Sequence, residues 1–471
     1  MARERNSSVY GRNDLLQTDQ HPMSYFGVSL RNGVSLGLGT VPALSNPPLL
    51  YRLAPSLLLQ FAGAETLDSR VTFTRTTTAT RTNSSGLIES VAINGPRFDY
   101  NPTTLAPNGL LIEEQRTNSI RNNTGVGAVA GTPGTLPTNW SVSSGGSGIT
   151  RTLVGTGTEN GITYVEFQFS GTGSGSAFQI INTDTITGIA AATGQAWSGS
   201  FYLKLVAGST TGTDIKMQLL ELNSVGSGVV QNLSPVLTPT SASLITQRNT
   251  LTATLSGGVT VTNLQQGLRL LFTNAVAVNI TLRIGLPQLE LGAFPTSVIP
   301  TSAAAATRTA DVATMTGTNF SSWYNATEGT LYASYSIPFD SSVSAFALVA
   351  PIADGTFSNT IAPYVRTLDD TQRSAVRVGG VAQTDLTSGG TYVYGTTAKL
   401  ATAYKVNDFA MSANGAAVAV DTSGTVPVVD RMGLGGNSVT GGSLSYLNGT
   451  IKQIAFFPRR LANAELQSIT A

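Results

Sequence analysis

Hydrophobic residues recur at every second position in short runs along this chain, and that period constrains its fold more than any other feature. In ITYVEFQFS, Val165, Phe167 and Phe169 share one face while Tyr164, Glu166 and Gln168 share the other. Successive side chains of a strand point to opposite sides, so such runs read as half-buried strands. The same period groups Phe201, Leu203 and Leu205, then Ile215, Met217 and Leu219, then Val278, Ile280, Leu282 and Ile284. A second set follows Asp311: Leu331, Ala333, Tyr335 and Ile337 alternate, and Asn414-Gly415 stands between two alternating runs, a strong hairpin signal. Fifty glycines, with abundant Ser, Thr, Asn and Val, suit short strands and tight turns. The expectation is an all-β chain with two sandwiches, over residues 120–310 and 311–471. The closing segment reads as a core strand, then Pro458, then one short helix carrying Leu461, Leu466 and Ile469.

Residues 1–55 differ in kind. They hold turn residues, Pro47 and Pro48, and no sustained period, which predicts an extended arm ordered only by docking. The net charge is +1, from 27 basic and 26 acidic residues, so no basic excess drives phosphate binding and nucleic acid is not an expected partner. Cysteine is absent, which removes disulfides and thiolate chemistry. Without a run of about 18 apolar residues, membrane insertion is not expected, and the first residues lack the apolar stretch of a signal peptide, which predicts synthesis in a cytoplasm.

Charge is scarce, at 11% of residues against about 25% in typical soluble proteins. Yet Arg75, Arg81, Arg97 and Arg116 crowd with Glu89, Asp99, Glu113 and Glu114 into Val71–Asn118. Residues 56–119 are therefore expected to form a charged collar. Its structural cluster is Arg81, Arg97, Glu113, Glu114 and Arg116, with Arg97 paired to one of the glutamates and buried between the arm and the first sandwich.

The wording of this stretch, TRTTTATR, then GPRFDYNP, then GLLIEEQRTN, resembles the phage head-spike/tail-fibre family. Later phrases resemble it too: LPQLELGAFPTSVIPTSAAAATRTADVA, FSSWYNATEGTLYASYS and YLNGTIKQIAFFPRRLANAELQSIT. The likeness runs from about Ser56 to the end. It implies a carbohydrate-binding-module-like jelly roll over 120–310, a concanavalin A-like (laminin G-like) jelly roll over 311–471, and an arm at 1–55 that attaches to other virion proteins. Two positions depart from the family wording. Arg81 replaces a residue that is usually uncharged or aromatic, and Ala462 stands where a Ser or Thr usually opens the last helix.

Few residues offer chemistry. The single histidine, His21, precedes Pro22 on the arm and reads as a turn residue. Glu113 and Glu114 are neighbours, and neighbours on a strand face opposite ways, whereas a glycosidase pair must flank one bond about 5–9.5 Å apart. The glycine run at 35–39 lacks the helix and lysine of a phosphate loop. These readings predict no catalytic residue, no metal, no cofactor and no enzymatic activity. Sugar-stacking candidates are Tyr392 and Tyr394, on one strand face of GGTYVYGTT, and Trp140 in TNWSVSSGG. For each tryptophan, including Trp197 and Trp323, core packing is the competing reading.

Three functions stay open. One is a virion fibre or spike, a homotrimer mounted on tail or baseplate rather than head, presenting lectin-like sandwiches to host-surface glycan. The second is an architectural decoration that binds nothing. The third is a glycan depolymerase, which calls for a cleft of spaced acids or stacked repeats that the sequence does not contain.

Overall fold

The computed structural model describes residues 48–255, 260–340, 346–436 and 445–471. Most of the predicted arm, residues 1–47, therefore lies outside the described residues. The chain is all-β: strands dominate, with short helices at Leu49–Arg52, Thr318–Ser321 and Asn463–Thr470. No helix of the described residues is long and apolar enough to cross a membrane.

Residues 120–300 form one eight-stranded antiparallel sheet folded upon itself. The strand Ile162–Asn182 runs through both layers. Its first half pairs with Ala277–Leu291, Phe167 facing Leu282, and its last residues pair with Asn263–Phe272, Ile181 facing Leu268. Glycines make the corner between the halves. Gly171 has φ +126° and Gly148, on the paired strand Ser141–Glu159, has φ +84°, conformations that L side chains rarely adopt. Folding the sheet brings Val165, Phe167, Phe169, Phe201, Leu203, Ile215, Met217, Ile280 and Leu282 into one core, so the alternating residues meet across the layers.

The second sandwich is not one stretch of chain. Its front sheet runs Ala419–Asp421, Phe409–Ala413, Ala398–Lys405, Glu328–Ser336, Gly449–Phe457, Pro107–Ile112, Phe98–Tyr100. The closing strand Gly449–Phe457 sits at its centre. On one side it pairs with Glu328–Ser336, Ala333 facing Ile454; on the other it pairs with Leu57–Gln60 and Pro107–Ile112, Leu59 facing Ile454 and Leu110 facing Ile451. The back sheet runs Thr72–Thr74, Val312–Thr316, Arg431–Gly433, Ile352–Ala353, Thr360–Arg366, Thr371–Val378, Val381–Thr391. The expected separate collar at 56–119 is thus corrected: its strands complete both sheets of the second sandwich, and the first sandwich is inserted between Arg116–Asn118 and Ala306–Arg308, which pair with each other. Leu57, Leu59, Phe98, Leu110 and Ile112 are buried in the same core as Leu331, Tyr335, Ile361, Val376 and Phe456.

The outer face of the front sheet is covered. Leu461, Leu466 and Ile469 pack on Tyr332, Ala401, Ala403 and Phe457, and Leu50 joins them, so the last residues of the predicted arm belong to this core. The Asn414-Gly415 corner forms a tight turn, φ +47° and +73°, closed by Ala416 N–H donating to Ala413 O at 2.9 Å. Pairing resumes only at Met411 with Ala419, so the hairpin is wider than its two-residue turn.

The closing helix Asn463–Thr470 starts after Ala462, which has no side-chain acceptor for the first turn. Glu465 supplies half a cap, accepting from Ala462 N–H at 2.7 Å. Ala462→Ser adds the missing acceptor and is expected to stabilise the chain by about 1 kcal/mol, raising Tm by about 2–4 °C. A melting curve unchanged from the parent counts against this account of the helix start.

Candidate functional site

The two outer faces of the second sandwich differ. Helix Asn463–Thr470 seals the front sheet, whereas the back sheet carries a groove of about 610 Å³ over its last three long strands. That volume lies within the about 300–1,000 Å³ of small-molecule sites. Strand register explains its shape. On the outward face Ala362 lies beside Ala375, and Arg377 beside Ala382. These three alanines line the groove and leave its floor without bulk. Larger residues stand around them: Phe346, Phe357 and Tyr364 on the aromatic side, Arg366, Arg373, Arg377 and Asp385 among the polar groups.

Phe346 is 44% exposed, with its ring edge-to-face on Tyr364 at 5.4 Å between centroids. Tyr364 is buried behind it and donates its hydroxyl to Asp385 Oδ1 at 3.0 Å. Burial pushes this phenol up, and the Asp385 carboxylate pushes it further. Arg373 is held from three sides: Nη2 to Asp369 at 2.8 Å, Nε to Thr371 Oγ1 at 2.8 Å, and Nη1 to Asp385 at 3.6 Å. Arg366 shares Asp369 at 3.1 Å. Arg377 is exposed and donates to Gly380 O at 3.4 Å. The groove therefore has an apolar floor, a partly exposed aromatic wall and directional donors at fixed positions.

Neither tyrosine predicted to stack sugar lies there. Tyr392 is buried, its hydroxyl accepts from Ile337 N–H at 2.7 Å, and its ring lies parallel to Tyr335 at 6.0 Å. Burial pushes its phenol up to about 12. Tyr394 packs edge-on against it at 5.2 Å and donates to Asp370 at 2.7 Å. The exposed platform is corrected: the two residues share a side, but it is the core side. Trp140 is also core, its indole N–H donating to Asn122 O at 2.7 Å. Trp197 and Trp323 are buried as well. Phe346, Phe357, Tyr364 and the three arginines were missed, although Ala362-Tyr364-Arg366 and Arg373-Ala375-Arg377 alternate in the sequence.

The charged residues of Val71–Asn118 build something else. Arg97 is wholly buried, with Nη1 2.8 Å from Glu113 Oε2 and Nη2 on Asp311 Oδ2. Arg75 reaches the other oxygen of Asp311 at 3.0 Å and donates to Ala92 O at 2.7 Å. Arg308 lies 3.4 Å from Glu113 and donates to Glu114 O at 2.8 Å. Ser297 donates to Glu113 from both its backbone, at 2.8 Å, and its hydroxyl, at 2.6 Å. Burial opposes charge on Glu113, yet Arg308 and Arg97, with these hydrogen bonds, hold its carboxyl well below the usual range. Arg116 pairs with Glu114 at 2.6 Å and lies over the Phe294 ring, while Arg81 pairs with Glu89 in a more exposed position. The network stands where the chain leaves and re-enters the second sandwich; the arm against which it was expected to be buried lies mostly outside the described residues. The network is a structural joint.

No family model matches the chain, and no curated protein does. Among solved structures, the CBM40 of Ruminococcus gnavus IT-sialidase bound to α2,3-sialyllactose is 18% identical, the match covering 31% of this chain and 84% of that one at TM-score 0.28. The NanB sialidase of Streptococcus pneumoniae is 14% identical over 33% of this chain and 26% of that one, TM-score 0.28. Trypanosoma rangeli sialidase in complex with sialic acid is 11% identical over 68% of both, TM-score 0.26. Likenesses at these scores assign no ligand and no reaction. None of the three is a phage fibre protein. The expectation of a chain without enzymatic activity is nevertheless corrected: sialidases stand among these neighbours, one over 68% of the chain, and the exclusion does not hold.

Proposed function

We propose that this chain is a virion surface protein, a tail fibre or baseplate-mounted spike, whose second sandwich binds glycan on a host surface. The groove on the back sheet carries the reading. A pyranose ring has an apolar C–H face and a rim of hydroxyls. The alanine floor with Phe346 and Phe357 suits the face, while Arg366, Arg373 and Asp385 are placed to hydrogen-bond the rim. The virion setting rests on the resemblance of Val71–Asn118 and the later phrases to phage head-spike/tail-fibre proteins. Attachment of residues 1–55 to other virion proteins and assembly as a homotrimer belong to the same proposal. Three linked copies raise avidity over one by about 10²–10⁴-fold, which suits a shallow groove of weak single contacts.

Ala375→Trp tests the reading. Residue 375 points outward from the middle of the floor, so tryptophan fills the groove without entering the core. On a glycan array the parent is expected to bind and the variant to lose at least tenfold in affinity, with the melting temperature unchanged. Retained binding by Ala375→Trp moves the site elsewhere, and a parent that binds no glycan leaves an architectural protein.

A further inference from the structure

The charge pattern of the groove points to a class of ligand, an inference that rests on the glycan reading above. Among the described residues three arginines line the groove, and Asp385 is the only lining carboxylate. The arginines are not equivalent. Arg366 and Arg373 share Asp369 on the rim, and Arg373 also lies near Asp385, so two carboxylates offset these two cations. Among the described residues no carboxylate pairs with Arg377, whose one hydrogen bond there goes to Gly380 O at 3.4 Å.

The position of Arg377 makes that surplus useful. It shares the outward face of strand Thr371–Val378 with Arg373 and Ala375, four residues along from Arg373. At about 3.4 Å per residue the two guanidinium-bearing positions are about 14 Å apart, longer than one sugar ring. Between them lie Ala375 and Ala362, the bare floor. A guanidinium presents a planar fork that matches a carboxylate with two parallel hydrogen bonds. A neutral hydroxyl can accept from such a donor but leaves its charge uncompensated, whereas a carboxylate accepts two bonds and neutralises it.

We propose that the groove takes an acidic oligosaccharide. A carboxylate-bearing sugar pairs with Arg377, and the following residue of the chain lies over the alanine floor against Phe346 and Phe357. Arg373, already pinned by Asp369 and Thr371, donates to hydroxyls at the far end. Arg377 is thus the specificity-determining residue, and the aromatic wall supplies affinity independent of charge.

The test compares uronic- and ulosonic-acid oligosaccharides with the same oligosaccharides after chemical reduction of their carboxyl groups, titrated into the full chain at low and high salt. The expected result is binding to at least one acidic oligosaccharide, a tenfold or greater loss on carboxyl reduction, and weakening by salt. Arg377→Gln is expected to lower the affinity for the acid form at least tenfold, so that acid and reduced forms bind the variant alike. Equal binding of acid and reduced forms overturns the charge inference and leaves the glycan reading intact. Binding of acidic forms that survives Ala375→Trp places the attraction outside the groove and overturns it too. Absence of binding to acidic, reduced and neutral arrayed glycans alike overturns both readings.

Discussion

Asp311→Ala is expected to destabilise the chain by about 3–5 kcal/mol, the cost of removing one partner from a buried ion pair. Asp311 is 1% exposed and is shared by Arg75 and Arg97, and it also accepts the backbone N–H of Glu113 at 3.0 Å. Without it, Arg97 and Arg308 are left with Glu113, and Arg75 keeps only backbone carbonyls among the described residues. A loss of that size is large against the total stability of about 5–15 kcal/mol that most domains have. Arg81→Ala is the comparison. Its pair with Glu89 is 25% and 37% exposed, so its loss is expected to cost about 0–1 kcal/mol. Urea unfolding of the two variants beside the parent measures the difference. Should Asp311→Ala fail to accumulate, Asp311→Asn keeps the shape and an acceptor and is expected to fall between them. Equal midpoints for Asp311→Ala and Arg81→Ala would show that the joint is not held by charge.

Gly171→Ala is expected to cost the first sandwich about 3 kcal/mol, combining about 1–3 for backbone strain with about 1–3 for overpacking. At φ +126° an alanine is strained whatever the space, and its Cβ would press on the carbonyl oxygen of Gly148. Both groups are backbone in paired strands, so neither rotates away. Gly155→Ala, on the paired strand Ser141–Glu159 but with open space around its Cβ, is expected to be neutral or stabilising by up to about 1 kcal/mol. A Gly171→Ala protein that melts with the parent would mean that the folded sheet does not depend on this corner.

Which residues share a strand face was legible in the sequence, because alternation is local. Phe167, Leu203, Met217 and Ile280 were read as inward and meet in one core. Which face is buried was less legible. Tyr392 and Tyr394 share a side, as their spacing requires, but that side packs on Tyr335 and Asp370. Ala362, Tyr364 and Arg366 alternate just as well, and they form the open face. A tyrosine satisfies either environment, since its ring packs and its hydroxyl finds a partner, so residue type alone did not decide.

The crowding of charge in Val71–Asn118 could be read directly, because charge is rare elsewhere in the chain. Its geometry could not. Arg97 meets Asp311 across 214 positions, and Glu113 meets Ser297 across 184. No local pattern carries those distances.

Composition and period by themselves determined an all-β chain, which residues share a strand face, the turn at Asn414-Gly415 and the helix after Pro458, since each depends on neighbours a few residues apart. The tertiary structure alone decided that Leu57–Gln60 and Pro107–Ile112 complete the closing strand, and that the first sandwich is an insertion. It also decided that, among the described residues, the outward face of the back sheet carries a groove. Strand pairing and face covering join residues hundreds of positions apart, and their energy resides in contacts that exist only once the sheets have formed.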